Sequence, residues 1–161
     1  MKEVKITSSY RVAKDITDLD KLDRALLLEA KEAAKHAYAP YSKFYVGAAL
    51  RFSDGQIIQG NNQENAAYPV TMCAERIAFF TASANYPNKI IESVAITVST
   101  TDMKINSPVP PCGSCRQVIY EKEYRQERPI KIILQGDKGD IYLIDSVKDI
   151  LPLLFDASYL T

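Results

Sequence analysis

The spacing of apolar residues predicts four helices along the chain. Between Asp20 and Pro40, apolar residues recur at steps of three and four among charged ones, at Leu22, Leu26, Ala30, Ala33 and Ala37. A second helix is predicted from about Cys73 to Ala84, and a third from about Gly113 to Arg125. Ser146 is a candidate N-cap for a last short helix that runs to Leu151.

Alternation at a period of two, together with short β-branched runs, predicts five strands. Residues 46–52 alternate in this way, and Asp54-Gly55 provides the tight turn into residues 56–59. Three more strands are predicted at residues 94–98, 130–134 and 141–144. Helices that alternate with strands in this order predict an α/β domain, a three-layer α/β/α arrangement with a mixed five-stranded sheet. We assign this domain to residues 20–161 and an N-terminal arm to residues 1–19.

Length and charge narrow the functional classes. The chain has 161 residues, which is the usual size of one domain. Its 20 basic and 20 acidic residues cancel, so no positive field favours a nucleic-acid partner, and a small-molecule substrate is expected. No apolar run approaches the roughly 20 residues of a membrane span, and the start of the chain lacks the apolar core of a signal peptide. We therefore expect a cytoplasmic protein without a membrane partner.

All three cysteines lie in two short motifs, Cys73-Ala74-Glu75 and Pro111-Cys112-Gly113-Ser114-Cys115. An odd number of cysteines with a Cys-x-x-Cys step fits a metal site better than a disulfide framework. His36 is the only histidine, and its surroundings offer no second ligand. A structural zinc site has four protein ligands, whereas three cysteines leave one position for water. The motifs therefore indicate a catalytic zinc.

Both cysteine motifs fall at the starts of predicted helices, where unpaired amides and the helix dipole favour thiolates. Cys112 and Cys115 would share one helical face, as would Cys73 and Arg76. Glu75 can cooperate with Cys73 only if Cys73 lies at or just before the helix start. Three thiolates around a divalent ion leave a net charge of minus one. Arg76 is a candidate to hydrogen-bond a thiolate and to offset part of that charge.

Four segments in this order resemble the cytidine deaminases of the short, homotetrameric, zinc-dependent class within the cytidine and deoxycytidylate deaminase family. They are APYSKFYVGAAL at 39–50, NQENAAY at 62–68, CAER at 73–76 and PCGSCRQ at 111–117. The resemblance implies a hydrolase of pyrimidine salvage that converts cytidine and 2′-deoxycytidine to uridine and 2′-deoxyuridine with release of ammonia. It also implies one zinc ion per chain, with a bound water or hydroxide, held by Cys73, Cys112 and Cys115.

The same resemblance assigns roles to other residues. Glu75 becomes the catalytic base and proton shuttle, and Arg76 lies beside the metal ligands. Asn62 and Glu64 become contacts for the ribose hydroxyls, and one residue between them in an extended segment would put both on one side. The implied substrate-binding set is Phe44, Asn62, Glu64, Tyr68, Ala74 and Phe155. Phe155 would stack on the base from a neighbouring subunit, which implies a homotetramer with shared sites.

The connection between Cys73 and Cys112 is a few residues longer than in typical members, around residues 85–89 or 101–107. Three alternatives stay open. The first is a deaminase for another aminopyrimidine or aminopurine, which the neutral charge and the Asn62-x-Glu64 pair disfavour. The second is a non-catalytic zinc module that binds a partner protein, for which Glu75 would have no use. The third is a thiol redox protein with a disulfide between Cys112 and Cys115.

Overall fold

A computed structural model describes residues 1–101 and 104–160; Asp102, Met103 and Thr161 of the predicted domain lie outside the described residues. One mixed sheet runs through the described part. Its strands are β1 (Arg11–Ala13), β2 (Phe44–Phe52), β3 (Ile57–Asn61), β4 (Ile91–Thr100), β5 (Lys131–Gln135) and β6 (Ile141–Ile144). Their order across the sheet is β1-β6-β5-β4-β2-β3. Strands β4 and β5 are parallel, and the other neighbouring pairs are antiparallel.

The sheet has six strands in the described residues, one more than the five predicted. The additional strand, β1, comes from the segment assigned to the N-terminal arm and pairs with β6, with Val12 opposite Tyr142. Three residues are too few to show a period of their own, and only Ala13 among them is buried. Pairing with an edge strand, rather than local preference, therefore defines β1.

The structure contains the three main helices that the spacing predicts, as α1 (Lys21–Ala34), α2 (Ala74–Asn85) and α3 (Gly113–Gln126). The last predicted helix is a short 3₁₀ turn at Val147–Ile150, and the Ser146 side chain caps it by accepting from the Lys148 N–H. Two positions of the predicted apolar face of α1 are wrong. Leu22 is 59% exposed, because Asp23 turns inward instead and its carboxylate pairs with Lys131 at 2.6 Å. Ala37 lies beyond the end of the helix.

Helices cover both faces of the sheet. Helix α1 packs on one face through a core that includes Leu26, Ala30, Ala49, Ala95 and Ile133. Helices α2 and α3 cover the other face, whose core includes Ala48, Leu50, Phe79, Ile96 and Ile119. Successive residues of β2 and β4 thus contribute to opposite cores, as the two-residue period of a strand requires. The three-layer α/β/α prediction is confirmed.

A glycine in β3 determines where α2 begins relative to the sheet. A Cβ atom on Gly60 would lie 2.4 Å from the Ala74 carbonyl oxygen and 2.6 Å from the Ala78 nitrogen. Only glycine allows such a close approach of helix and strand. The contact holds the first turn of α2 beside the end of β3. Among the described residues, no helix is both long and apolar enough to span a membrane.

Candidate active site

The three cysteines meet where α2 and α3 begin. Cys73 and Cys112 are the N-cap residues of α2 and α3, both with extended backbone, and Cys115 lies in the first turn of α3. All three Sγ atoms lie within 4.8 Å of one another, and those of Cys112 and Cys115 are 3.5 Å apart. A disulfide requires about 2.05 Å, whereas tetrahedral zinc with Zn–S bonds of about 2.3 Å places sulfur atoms about 3.8 Å apart. The cluster therefore fits zinc, and no fourth protein ligand joins it within the described residues.

The guanidinium group of Arg76 donates a hydrogen bond to this cluster. Its Nη2 atom donates to Cys73 Sγ at 3.6 Å and to the Thr71 carbonyl oxygen at 3.3 Å. Hydrogen bonds from the Cys115 thiol and then from Arg76 lower the pKa of Cys73 to about 5 despite partial burial. The pKa of Cys115 is raised, because its proton is held by the Cys73 sulfur and because it is buried. The lowered pKa favours the thiolate form of Cys73, which is the form that binds a metal.

Glu75 is the second residue of α2 and is only 5% exposed. Because Cys73 is the N-cap, the geometric condition set by the two-residue spacing is met: the carboxylate and the Cys73 sulfur line one cavity. Burial raises the pKa of Glu75, and the charge on Cys73 raises it further, although the N–H of Glu75 itself opposes the shift. A carboxyl group in this setting can hold or release a proton.

The cavity in front of the cysteines has a volume of about 490 Å³, within the range of small-molecule sites. It lies between the start of β2, the segment after β3, the middle of β4 and the loops that precede α2 and α3. Its lining residues are Ser42, Phe44, Val46, Asn62, Glu64, Thr71, Met72, Cys73, Glu75, Ile96, Thr97, Val98, Val109, Pro110 and Cys112. Apolar walls thus surround a few polar groups next to the thiols.

Asn62 and Glu64 are both in this lining, and both also hold the local backbone. Asn62 Oδ1 accepts from the Val46 N–H at 2.7 Å, and Asn62 Nδ2 donates to the Phe44 carbonyl oxygen at 2.9 Å. The Glu64 carboxylate accepts from the Tyr41 N–H at 2.9 Å, from the Ser42 N–H at 3.2 Å and from the Ser42 hydroxyl. These bonds leave one N–H of the Asn62 amide and one lone pair of the Glu64 carboxylate for a ligand.

Three residues of the substrate-binding set implied by the sequence do not line the cavity within one chain. Ala74 is fully buried. Tyr68 is 70% exposed and contacts the Tyr41 ring edge-on, with 6.1 Å between ring centroids. Phe155 is 55% exposed and stacks on Tyr159 at 5.6 Å. A single chain therefore brings Phe44, Asn62 and Glu64 to the thiols but leaves Tyr68 and Phe155 outside.

Other lining residues gave no sequence signal of a site. Thr71 and Met72 lie just before Cys73, and Thr97 lies inside a run that indicates only a buried strand. Val109 and Pro110 belong to the stiff Pro108-Val109-Pro110-Pro111 segment. Their place in the wall depends on how the loop before α3 folds back. For Thr71, Met72, Val109 and Pro110, the only indication in the sequence was their proximity to the two cysteine motifs.

Comparison with known proteins agrees with this geometry. The family model described as "Cytidine and deoxycytidylate deaminase zinc-binding region" matches residues 20–127. A cytidine deaminase of Sporosarcina psychrophila is 49% identical over 137 residues, covering 83% of this chain and 93% of the relative. One of Halalkalibacterium halodurans is 42% identical over 137 residues, covering 84% and 96%. The crystal structure of a Burkholderia pseudomallei cytidine deaminase is similar with a TM-score of 0.71 at 39% identity, covering 81% of this chain and 97% of that one. The chain therefore belongs to the cytidine and deoxycytidylate deaminase family.

Proposed function

We propose that this protein is a zinc-dependent cytidine deaminase that converts cytidine and 2′-deoxycytidine to the corresponding uridines and releases ammonia. One observation carries the proposal. Cys73, Cys112 and the buried Glu75 line the same cavity as Asn62 and Glu64, and the buried Cys115 sulfur lies within 4.8 Å of the other two sulfurs. Metal ligands, a proton carrier and polar groups suited to a sugar are thus combined in one space of nucleoside size.

The metal ligands in this proposal are Cys73, Cys112 and Cys115. Zinc bound there supplies a Lewis acid that makes a water molecule easier to deprotonate. Three thiolates weaken that effect because they give the site a net negative charge. The hydrogen bond from Arg76 to Cys73 supports a role for Arg76 in offsetting part of this charge.

Glu75 would carry the proton through the reaction. Its carboxylate takes a proton from the attacking water as the oxygen bonds to C4 of the pyrimidine, and it delivers that proton to N3. Glu75 would then move the remaining proton, from the new C4 hydroxyl group, to the exocyclic nitrogen. The C4–N bond breaks, ammonia leaves, and the C4 oxygen becomes the carbonyl of the uridine. One water is consumed for each ammonia released. Burial of Glu75, which favours its protonated form, suits a group that must hold a proton between two transfers.

Substrate binding would involve Asn62 and Glu64, two of the polar residues that line the cavity. The remaining N–H of Asn62 and the remaining lone pair of Glu64 match the acceptor and donor capacity of ribose hydroxyls. Phe44 would pack against the nucleoside. Since the two backbone bonds of Asn62 fix its amide against β2, the sugar contacts would be in place before the ligand arrives.

We also propose that the enzyme is a homotetramer with shared sites. The position of Phe155 and Tyr68 outside the cavity of their own chain supports a contribution to a neighbour's site, with Phe155 stacking on the base. Residues 20–161 would form the catalytic domain, and residues 1–19 an arm added to it. The three free thiols favour the cytoplasm, where they stay reduced.

A substrate comparison tests the proposed function. Cytidine, 2′-deoxycytidine, cytosine and adenosine are offered to purified protein at equal concentration, and ammonia release is followed. We expect turnover of both cytosine nucleosides and little of the others, because cytosine lacks the sugar that Asn62 and Glu64 would bind. Preferential turnover of cytosine or adenosine would contradict the proposal.

A further inference from the structure

The loop between β4 and α3 forms one wall of the cavity. Val109 and Pro110 line it, Pro108 is buried, and the metal ligand Cys112 follows directly. The position of residues 104–111 therefore affects the space available to the nucleoside. Nothing in the roles assigned so far explains what holds this longer connection in place.

The turn between β5 and β6, at residues 136–140, holds it. The Asp137 N–H donates to the Ile105 carbonyl oxygen at 2.8 Å, and the Ile105 N–H donates back to Asp137 Oδ2 at 3.1 Å. The same carboxylate oxygen accepts from the Thr100 hydroxyl at 3.3 Å. Asp137 thus connects both ends of the segment around the undescribed residues: the end of β4 and the start of the stretch that leads to the wall.

Two glycines bring the turn and the loop into backbone contact. A Cβ atom on Gly136 would lie 2.2 Å from the Ile105 carbonyl oxygen and 2.7 Å from that of Ser107. A Cβ atom on Gly139 would lie 2.1 Å from the Asn106 carbonyl oxygen. Approaches this close leave the loop little room to move towards the turn.

The neighbouring acid of the same turn behaves differently. Asp140 pairs at 2.8 Å with the exposed Lys14, and neither residue lines the cavity. Asp137 has no ion pair within 4.0 Å among the described residues, and its hydrogen bonds described above join Thr100, at the end of β4, and Ile105, in the connection that follows. A carboxylate used in this way serves the loop rather than the turn that carries it.

We propose that Asp137 is a positioning residue for the nucleoside site: by anchoring Ile105 it fixes the Val109–Pro110 wall and so contributes to substrate affinity. The inference rests on the proposed function for its kinetic consequence, but the anchor itself does not. Because the effect is on a wall and not on the reacting atoms, it should appear in KM and leave kcat nearly unchanged.

The test compares Asp137→Ala with Asp137→Asn and with Asp140→Ala as the matched control. Asn keeps an oxygen where Oδ2 accepts both hydrogen bonds, whereas Ala removes it. Each variant is assayed for KM and kcat with cytidine per bound zinc. Limited trypsin digestion, with fragments identified by mass, measures cleavage after Lys104 and does not depend on activity. Asp137→Ser, whose hydroxyl is too short to bridge to Ile105, replaces Ala if that variant does not fold.

We expect Asp137→Ala to raise KM about tenfold, comparable to the loss of one good pocket contact, with kcat within about twofold and faster cleavage after Lys104. Asp137→Asn and Asp140→Ala should resemble the wild type in both assays. An unchanged KM and cleavage rate in Asp137→Ala, or equal effects in Asp140→Ala, would overturn the proposal. A wild-type protein that does not deaminate cytidine would refute the proposed function instead, and the trypsin result would still decide whether Asp137 anchors the loop.

Discussion

Replacement of Gly60 by alanine should damage the metal site through a steric effect alone. The new Cβ would lie 2.4 Å from the Ala74 carbonyl oxygen and 2.6 Å from the Ala78 nitrogen, whereas ordinary contact begins at 3.4 Å. Both atoms belong to the backbone of α2, so no side-chain rotation relieves the contact. Strand β3 and the first turn of α2 must separate by about 1 Å.

The size of this displacement determines the expected effect. Inserting a methyl group into a packed interior costs about 1–3 kcal/mol of the free energy of unfolding. Zinc–ligand distances tolerate only about 0.2 Å of change, and Cys73 is the N-cap of the helix that must move. A misplacement of about 1 Å can reduce a rate by about 100-fold. We therefore expect Gly60→Ala to weaken zinc binding and to lower kcat/KM for cytidine by about two orders of magnitude.

Gly113→Ala provides the matched control. Gly113 lies between Cys112 and Ser114 at the start of α3, and a Cβ there would meet nothing within 4 Å. The same substitution, directly after the ligand Cys112, should leave zinc affinity and activity unchanged and should stabilise the fold by about 0.4–1 kcal/mol. Zinc affinity is measured by competition with a chelator, and stability by urea unfolding. Normal zinc affinity and activity in Gly60→Ala, or matching losses in Gly113→Ala, would refute the steric explanation.

Three further outcomes are expected. Glu75→Gln should keep zinc and fold but lose at least about 10²–10⁴-fold in kcat, the usual share of a proton-transfer residue; turnover like the wild type would exclude the proton-shuttle role. Arg76→Ala should lower zinc affinity or kcat by about 10–100-fold, since it removes the hydrogen bond to Cys73. Chelator competition measures the zinc affinity and steady-state kinetics measure kcat, and wild-type values of both would contradict this role of Arg76. If Phe155 acts on a neighbouring subunit, inactive Glu75→Gln chains co-expressed with impaired Phe155→Ala chains should form mixed oligomers more active than either variant alone. No gain would contradict a contribution of Phe155 to a neighbour's site.

The local chemistry of the site was predictable because it depends on short motifs. Three cysteines and Glu75 indicated an open zinc site. The predicted starts of the second and third helices lie within one residue of the observed starts, where Cys73 and Cys112 are the N-caps. Asp54-Gly55 predicted the hairpin between β2 and β3 because the turn itself requires positive φ, and Gly55 has a φ of 86°.

Features that depend on contacts distant in sequence were not predictable. Strand β1 exists because β6 offers a free edge, and Leu22 faces solvent because Asp23 pairs with Lys131, more than a hundred positions away. Asn62 was assigned to the sugar from its motif, but its bonds to the β2 backbone follow only from the strand pairing. The Asp137 anchor likewise joins two loops that no local pattern relates.

The central claim is that one zinc ion held by Cys73, Cys112 and Cys115 makes this chain a cytidine deaminase. The most direct test measures zinc per chain by elemental analysis together with cytidine deamination, before and after treatment with a chelator and after zinc is restored. We expect one zinc per chain, loss of activity in proportion to zinc removed, and recovery when zinc returns. Full activity in protein without zinc, or a stoichiometric zinc with no deamination of cytidine, would contradict the claim.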